Sequence, residues 1–143
     1  MKNIMTPLYF FAVMLLIHTI PVFAQTPNDS TQIKETVLNY LEGMETNDPQ
    51  RIEKVMYPDL EKRTIEKNKE GIEYPENMTA ASLIEYSKDF DFTLFYKADV
   101  DPKEPLKSEI IIYEISNGIA SVKAVTNKFE FVDYIHLGKL NGE

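Results

Sequence analysis

Asn117-Gly118 lies between two dense β-forming runs, Ile110-Ile111-Ile112-Tyr113-Glu114-Ile115 before it and Ala120-Ser121-Val122-Lys123-Ala124-Val125-Thr126 after it. Asn and Gly reach positive φ at little cost, so a two-residue turn here folds the chain back as an antiparallel hairpin. The C-terminal third is therefore committed to an antiparallel sheet. Asn127-Lys128 turns the chain again, and Phe129 to Leu140 reads as a third strand. Alternation puts Phe129, Phe131, Asp133, Ile135 and Leu137 on one face, with Glu130, Val132, Tyr134 and His136 on the other. A second Asn-Gly pair, Asn141-Gly142, follows just before Glu143.

The segment before the sheet has the other period. Ile33, Val37, Tyr40, Leu41 and Met44 recur along one helical face after the cap candidates Ser30-Thr31-Gln32. Asn47-Asp48-Pro49 ends that helix and opens a short second one, with Asp48 as N-cap, Pro49 at the first helical position, and Ile52, Val55 and Met56 on its buried side. Leu60 to Glu66 predicts a short strand carrying Lys62 and Arg63, and Lys67 to Asn77 a polar loop. Thr79 caps a third helix over 80–88 with Leu83 and Ile84 inward. Phe90, Phe92, Leu94 and Phe95 form an aromatic link, and Asp99 to Pro105 is a further loop. Helices first and antiparallel strands after describe one α+β domain over 32–143.

Residues 1–24 have the three parts of an export signal: Lys2 at the start, an apolar run from Leu8 to Ile17, and Val22-Phe23-Ala24 after Pro21. A spanning helix needs about 20 apolar residues, and this run meets His18, Thr19 and Pro21 too soon, so cleavage before Gln25 is expected. The product would be periplasmic or secreted, with no stable membrane anchor and a short polar leader over 25–31. Acidic residues number 23 against 15 Lys and Arg, a formal net charge of −8. That balance excludes nucleic acid as a partner, because phosphate binding needs clustered cations. The absence of cysteine removes disulfides, thiolate metal sites and thiol nucleophiles. His136 is the one histidine outside the signal, so neither a metal centre nor a cofactor is expected.

Several stretches carry a family resemblance. They are Thr36-Val37-Leu38-Asn39-Tyr40-Leu41-Glu42-Gly43, Asn47-Asp48, Tyr57-Pro58-Asp59-Leu60-Glu61-Lys62-Arg63, Gly118-Ile119-Ala120-Ser121-Val122-Lys123, and Asp133-Tyr134-Ile135-His136-Leu137-Gly138-Lys139-Leu140-Asn141-Gly142. Together they resemble the nuclear-transport-factor-2-like superfamily, which includes SnoaL-like domains, and within it the lumazine-binding group. The resemblance implies a cystatin-like cone, a curved antiparallel sheet wrapped on the N-terminal helices around an apolar pocket. It does not choose a reaction, since members include isomerases, cyclases and domains with no activity. Relatives continue past the Asn-Gly turn with another strand, so this sequence reads as C-terminally truncated, with a partner strand as the alternative.

Asp133 is the leading catalytic candidate. Its strand face is otherwise apolar, so it points inward, where a carboxylate could act as a general base or could fix the strand through a polar partner. His136 lies three positions away, on the opposite face, which argues against a direct dyad. Arg63, beside Lys62, could meet an anionic ligand or an internal acid. Tyr40, Tyr57, Tyr74, Tyr113 and Tyr134 could stack on a planar ligand. The leading expectation is a non-catalytic binding or accessory domain that holds a small apolar or aromatic ligand with Tyr40, Tyr57, Arg63, Tyr113, Phe131, Asp133 and Ile135. Two alternatives stay open: an isomerase- or cyclase-like enzyme using Asp133, and a homodimerising scaffold using the outer sheet face.

Overall fold

A computed structural model describes residues 27–142, so the export signal expected over 1–24 lies outside the described residues. Helix α1 (Pro27–Glu45) begins at a proline, whose missing N–H is harmless in a first turn, and runs through Ser30 and Thr31. Residues 27–31 of the polar leader are therefore helical. The expected stripe is the core of the domain: Val37, Tyr40, Leu41 and Met44 are buried, with Ile33 packed against them. Asn47, in the left-handed region at φ 52°, turns the chain out of α1. Its amide donates to the carbonyls of Ser87 (3.0 Å) and Phe90 (2.7 Å), tying the turn to the end of the third helix. Asp48 caps α2 (Pro49–Glu53) by accepting from Arg51 N at 3.0 Å. Gly43 lets the two helices touch, because a Cβ there would lie 2.7 Å from Ile52 Cγ1.

Strand β1 (Glu61–Lys67) pairs antiparallel with β2 (Glu73–Thr79), which corrects the loop expected over 67–77. The polar turn is confined to the middle of that stretch. Asn68 Oδ1 accepts from the backbone N–H groups of Glu70 and Ile72, and Gly71 supplies φ +80°. Pro75 is tolerated because a two-stranded ribbon leaves an outer edge that needs no N–H. Thr79 then caps α3 (Ala80–Tyr86), accepting from Ser82 N at 3.1 Å, and Leu83 is buried. A short 3-10 helix (Phe92–Phe95) follows.

The second sheet has the order β3 (Ser108–Ser116), β4 (Ile119–Thr126), β5 (Asp133–Gly138), all antiparallel. Asn117 at φ 50° and Gly118 at φ +77° make the hairpin turn between β3 and β4. The last strand is shorter than the expected 129–140. The segment 128–130 leaves β4 and binds the aromatic link instead: Lys97 N donates to Lys128 O and Glu130 N to Phe95 O, each at 2.8 Å. The inward alternation survives, with Phe129 fully buried and Phe131, Asp133, Ile135 and Leu137 less exposed than the residues between them. The domain is thus α+β, with α1 and α2 before the first of two open antiparallel sheets and α3 between the two in sequence. Among the described residues nothing pairs with the outer edge of β5, and no helix is long and apolar enough to cross a membrane.

Candidate functional site

Three polar side chains from three elements meet at the margin of the core. Tyr40 comes from the buried stripe of α1, Lys62 from β1, and Asp133 from the start of β5. Asp133 closes the inward row Ile110–Ala124–Asp133 across the sheet, where the small Ala124 precedes it. Tyr40 O–H donates to Asp133 Oδ2 at 3.0 Å. Lys62 Nζ lies 3.0 Å from Asp133 Oδ1 and 3.3 Å from Oδ2, and donates to the Tyr40 hydroxyl at 2.5 Å. The ammonium also lies over two rings, 5.0 Å from the Phe131 centroid and 5.2 Å from that of Tyr40. Phe131 is held in turn by stacking on Phe129, with centroids 4.9 Å apart, and by an edge contact with Phe95.

Exposure is graded across the cluster. Tyr40 is 5% exposed, whereas the Asp133 and Lys62 side chains are 14% and 30% exposed. Burial, followed by the charge and hydrogen bond of Asp133, holds the Tyr40 phenol well above its usual 10.0. Tyr40 therefore stays protonated and acts as a donor to Asp133 while accepting from Lys62. An ammonium has three N–H groups. Three acceptors face it here, the Tyr40 oxygen and both Asp133 oxygens, and 30% of the Lys62 side chain stays open to solvent.

The structure divides the expected site residues. Tyr40, Phe131 and Asp133 come together, and Ile135 shares their face two residues along β5. Tyr57 and Tyr113 do not join them; both are well exposed, at 57% and 58%. Tyr113 follows inward-facing Ile112 in β3 and so faces outward, while the bulge between Ile112 and Glu114 puts Glu114 on that same face. Arg63 also points away and pairs with Glu61 at 2.9 Å on the exposed surface. Its neighbour Lys62 takes the inward place, because successive strand residues face opposite ways. Tyr74 and Tyr134 are exposed too. His136 is on the outer face, with Nδ1 3.1 Å from Ser121 Oγ, so it forms no dyad with Asp133.

The expected apolar hollow is not enclosed at these residues. Two open grooves lie elsewhere, one of about 710 Å³ along α3 beside Tyr86 and Phe90, the other of about 440 Å³ between α1 and the 102–106 loop. The second groove borders a cluster that the sequence did not reveal. Lys128, only 3% exposed, pairs with Glu45, donates to Pro102 O at 2.9 Å and lies over the Tyr96 ring. Burial pulls its pKa down, but the Glu45 hydrogen bond and charge, with Tyr96, more than offset this and leave it raised. All of its donors are directed at protein groups, so it anchors the loop. Among the described residues there is no group of three His, Cys, Asp or Glu side chains suited to a metal.

The family described as "Putative lumazine-binding" matches residues 28–143, which covers all but the first residue of α1, all of α2 and α3, and every strand. The chain belongs to that family. No curated protein and no solved structure matches the chain.

Proposed function

We propose that this chain is an exported, non-catalytic small-molecule-binding domain of nuclear-transport-factor-2-like architecture. It takes a planar aromatic ligand with a carbonyl or anionic oxygen at the margin between β1 and β5. The observation that carries this reading is the Lys62 ammonium: fixed by Asp133 and Tyr40, set over two rings, and still partly open to water. Phe131 and Ile135 supply the apolar side of the contact. Binding is favoured over proton transfer because both Asp133 oxygens already face donors, and the raised phenol of Tyr40 is a poor acid. Export rests on the tripartite pattern of residues 1–24.

Titration calorimetry with lumazine tests the site. The expected result is saturable binding that Lys62→Met weakens at least about tenfold, the loss of one charge-assisted hydrogen bond, and that Arg63→Ala leaves unchanged. Binding that is absent, or indifferent to Lys62→Met, refutes the assignment.

A further inference from the structure

We propose that the groove along α3 is a docking site for an arginine side chain carried on an apolar segment of a partner polypeptide. The groove, of about 710 Å³, follows from spacing: Ala81, Ser82, Glu85, Tyr86, Asp89 and Phe90 recur three and four residues apart along α3 and the turn after it. Ala81 and Ser82 are small and leave room. Tyr86 and Phe90 form one wall as a stacked pair, with centroids 4.2 Å apart and planes 25° apart. Tyr86 is 43% exposed, so part of its ring stays available. The apolar surface runs on from Phe90 to Phe95, with 5.4 Å between centroids, and to Leu94, and both of these stand exposed on the 3-10 helix.

The charges identify the occupant. Lys88 pairs with Glu85 through one carboxylate oxygen. That hydrogen bond and charge, then Asp89 and Glu53, hold the Lys88 ammonium above its usual range against the pull of desolvation. Three carboxylates therefore act on a single ammonium, and among the described residues neither Asp89 nor Glu53 joins an ion pair. The groove is left with unanswered negative charge and with free carboxylate oxygens beside an open ring. A planar cation answers both. A guanidinium stacks flat on a ring while its N–H fork engages carboxylates. A quaternary ammonium would have no N–H for these oxygens, and a lysine ammonium has no flat face for the ring.

The shape of the groove favours a segment of chain over a free molecule. Small ligands sit in clefts that bury most of their surface, whereas this groove is open and its apolar surface continues onto Phe95 and Leu94. A residue beside the arginine covers them. The net charge of −8 favours approach of a basic partner. None of the groove residues belongs to the Tyr40–Lys62–Asp133 cluster, so the proposal is independent of the ligand site.

Titration calorimetry of the purified protein with a blocked peptide, one arginine followed by two leucines, tests this. The expected result is saturable binding with a Kd of about 0.1–1 mM. Replacing the arginine with citrulline, its neutral isostere, should weaken binding at least about tenfold, and lysine at least about threefold. Asp89→Asn and Tyr86→Leu should each cost about threefold, while Lys62→Met leaves binding unchanged, and melting curves confirm that each variant is folded. Arginine amide alone should bind at least about tenfold more weakly than the peptide, because it lacks the leucine contacts. Absence of binding up to about 10 mM peptide, affinity indifferent to citrulline or to Asp89→Asn, equal binding of the lysine peptide, or arginine amide as tight as the peptide overturns the proposal.

Discussion

Replacing Tyr40 with phenylalanine removes one oxygen and almost nothing else. The ring keeps its place in the core and no cavity opens, so the change isolates the polar cluster. The lost hydroxyl donates to a carboxylate and accepts from an ammonium. Hydrogen bonds to charged groups contribute about 1.5–3 kcal/mol. Asp133 and Lys62 keep each other at 3.0 Å, which places the expected loss near the middle of that range, about 2 kcal/mol. For a domain of this size that lowers Tm by about 6–12 °C. The pH dependence gives a sharper test. The Tyr40 phenol is raised well above 10.0 in the fold, so the folded state binds one more proton than the unfolded state once the pH passes 10. Its stabilising effect is complete below the unfolded pKa and is lost as pH rises toward the folded value, at about 1.4 kcal/mol per pH unit. The phenyl ring of the Tyr40→Phe variant has no proton to lose. Urea unfolding of both proteins from pH 7 to 11 should therefore show two curves offset at neutral pH that converge above about pH 10. The two proteins differ in this one hydroxyl, so the convergence reports the polar cluster that Tyr40 joins. Parallel curves, or a neutral-pH offset below about 0.5 kcal/mol, would refute the reasoning.

Two other substitutions probe the packing around the site. Gly43→Ala gains about 1 kcal/mol of helix propensity, yet its Cβ would lie 2.7 Å from Cγ1 of the fully buried Ile52. Overpacking costs about 1–3 kcal/mol, so urea midpoints should show a net loss; a stabilised protein would show that α2 shifts freely. Lys128→Met leaves the Glu45 carboxylate without its partner and frees the 102–106 loop. Glu45 is 17% exposed and so recovers little hydration, and the expected cost is about 3 kcal/mol, read from chemical denaturation; a loss under about 1 kcal/mol would mean that the pair behaves as a surface one.

Much of the architecture was legible because two signals are local. The 3.6-residue stripe of α1 marked the core correctly, and Asn117-Gly118 marked a turn that only a hairpin can use. The β2 strand was hidden because Tyr74-Pro75-Glu76-Asn77 is rich in turn formers, and a two-stranded ribbon imposes no burial pattern to contradict them. The early end of β5 was hidden for a different reason. Phe129 and Phe131 continue the alternation of the strand, but the backbone around Phe129 pairs with Tyr96 and Phe95, an association between segments more than thirty residues apart. The site was half legible. Inward-facing Asp133 followed from alternation, and an internal cation was anticipated, yet the choice between Lys62 and Arg63 turned on strand parity within a pair of adjacent basic residues. Parity depends on where β1 begins, and a sequence leaves that boundary uncertain by more than the one residue that decides it. Tyr113 failed for a simpler reason, since it alternates with inward Ile110 and Ile112 and so faces outward.

The same polar cluster explains how the two sheets hold their relative position. β1 and β2 pair only with each other, and β3, β4 and β5 only among themselves. Every residue of the hairpin from 63 to 77 is exposed, and a two-stranded ribbon is marginal on its own. Its placement therefore depends on its root near Leu60 and Ala80 and on the tie from Lys62 to Asp133 and Tyr40. A tie made of backbone hydrogen bonds would have left no free valence. One made of a lysine keeps part of its side chain open to solvent, so the interaction that positions the hairpin is also the one the proposed binding function would use. The proposed binding role of Asp133 has the same physical basis: a carboxylate that holds the hairpin in place cannot give up its two donors to take a substrate proton without loosening the site.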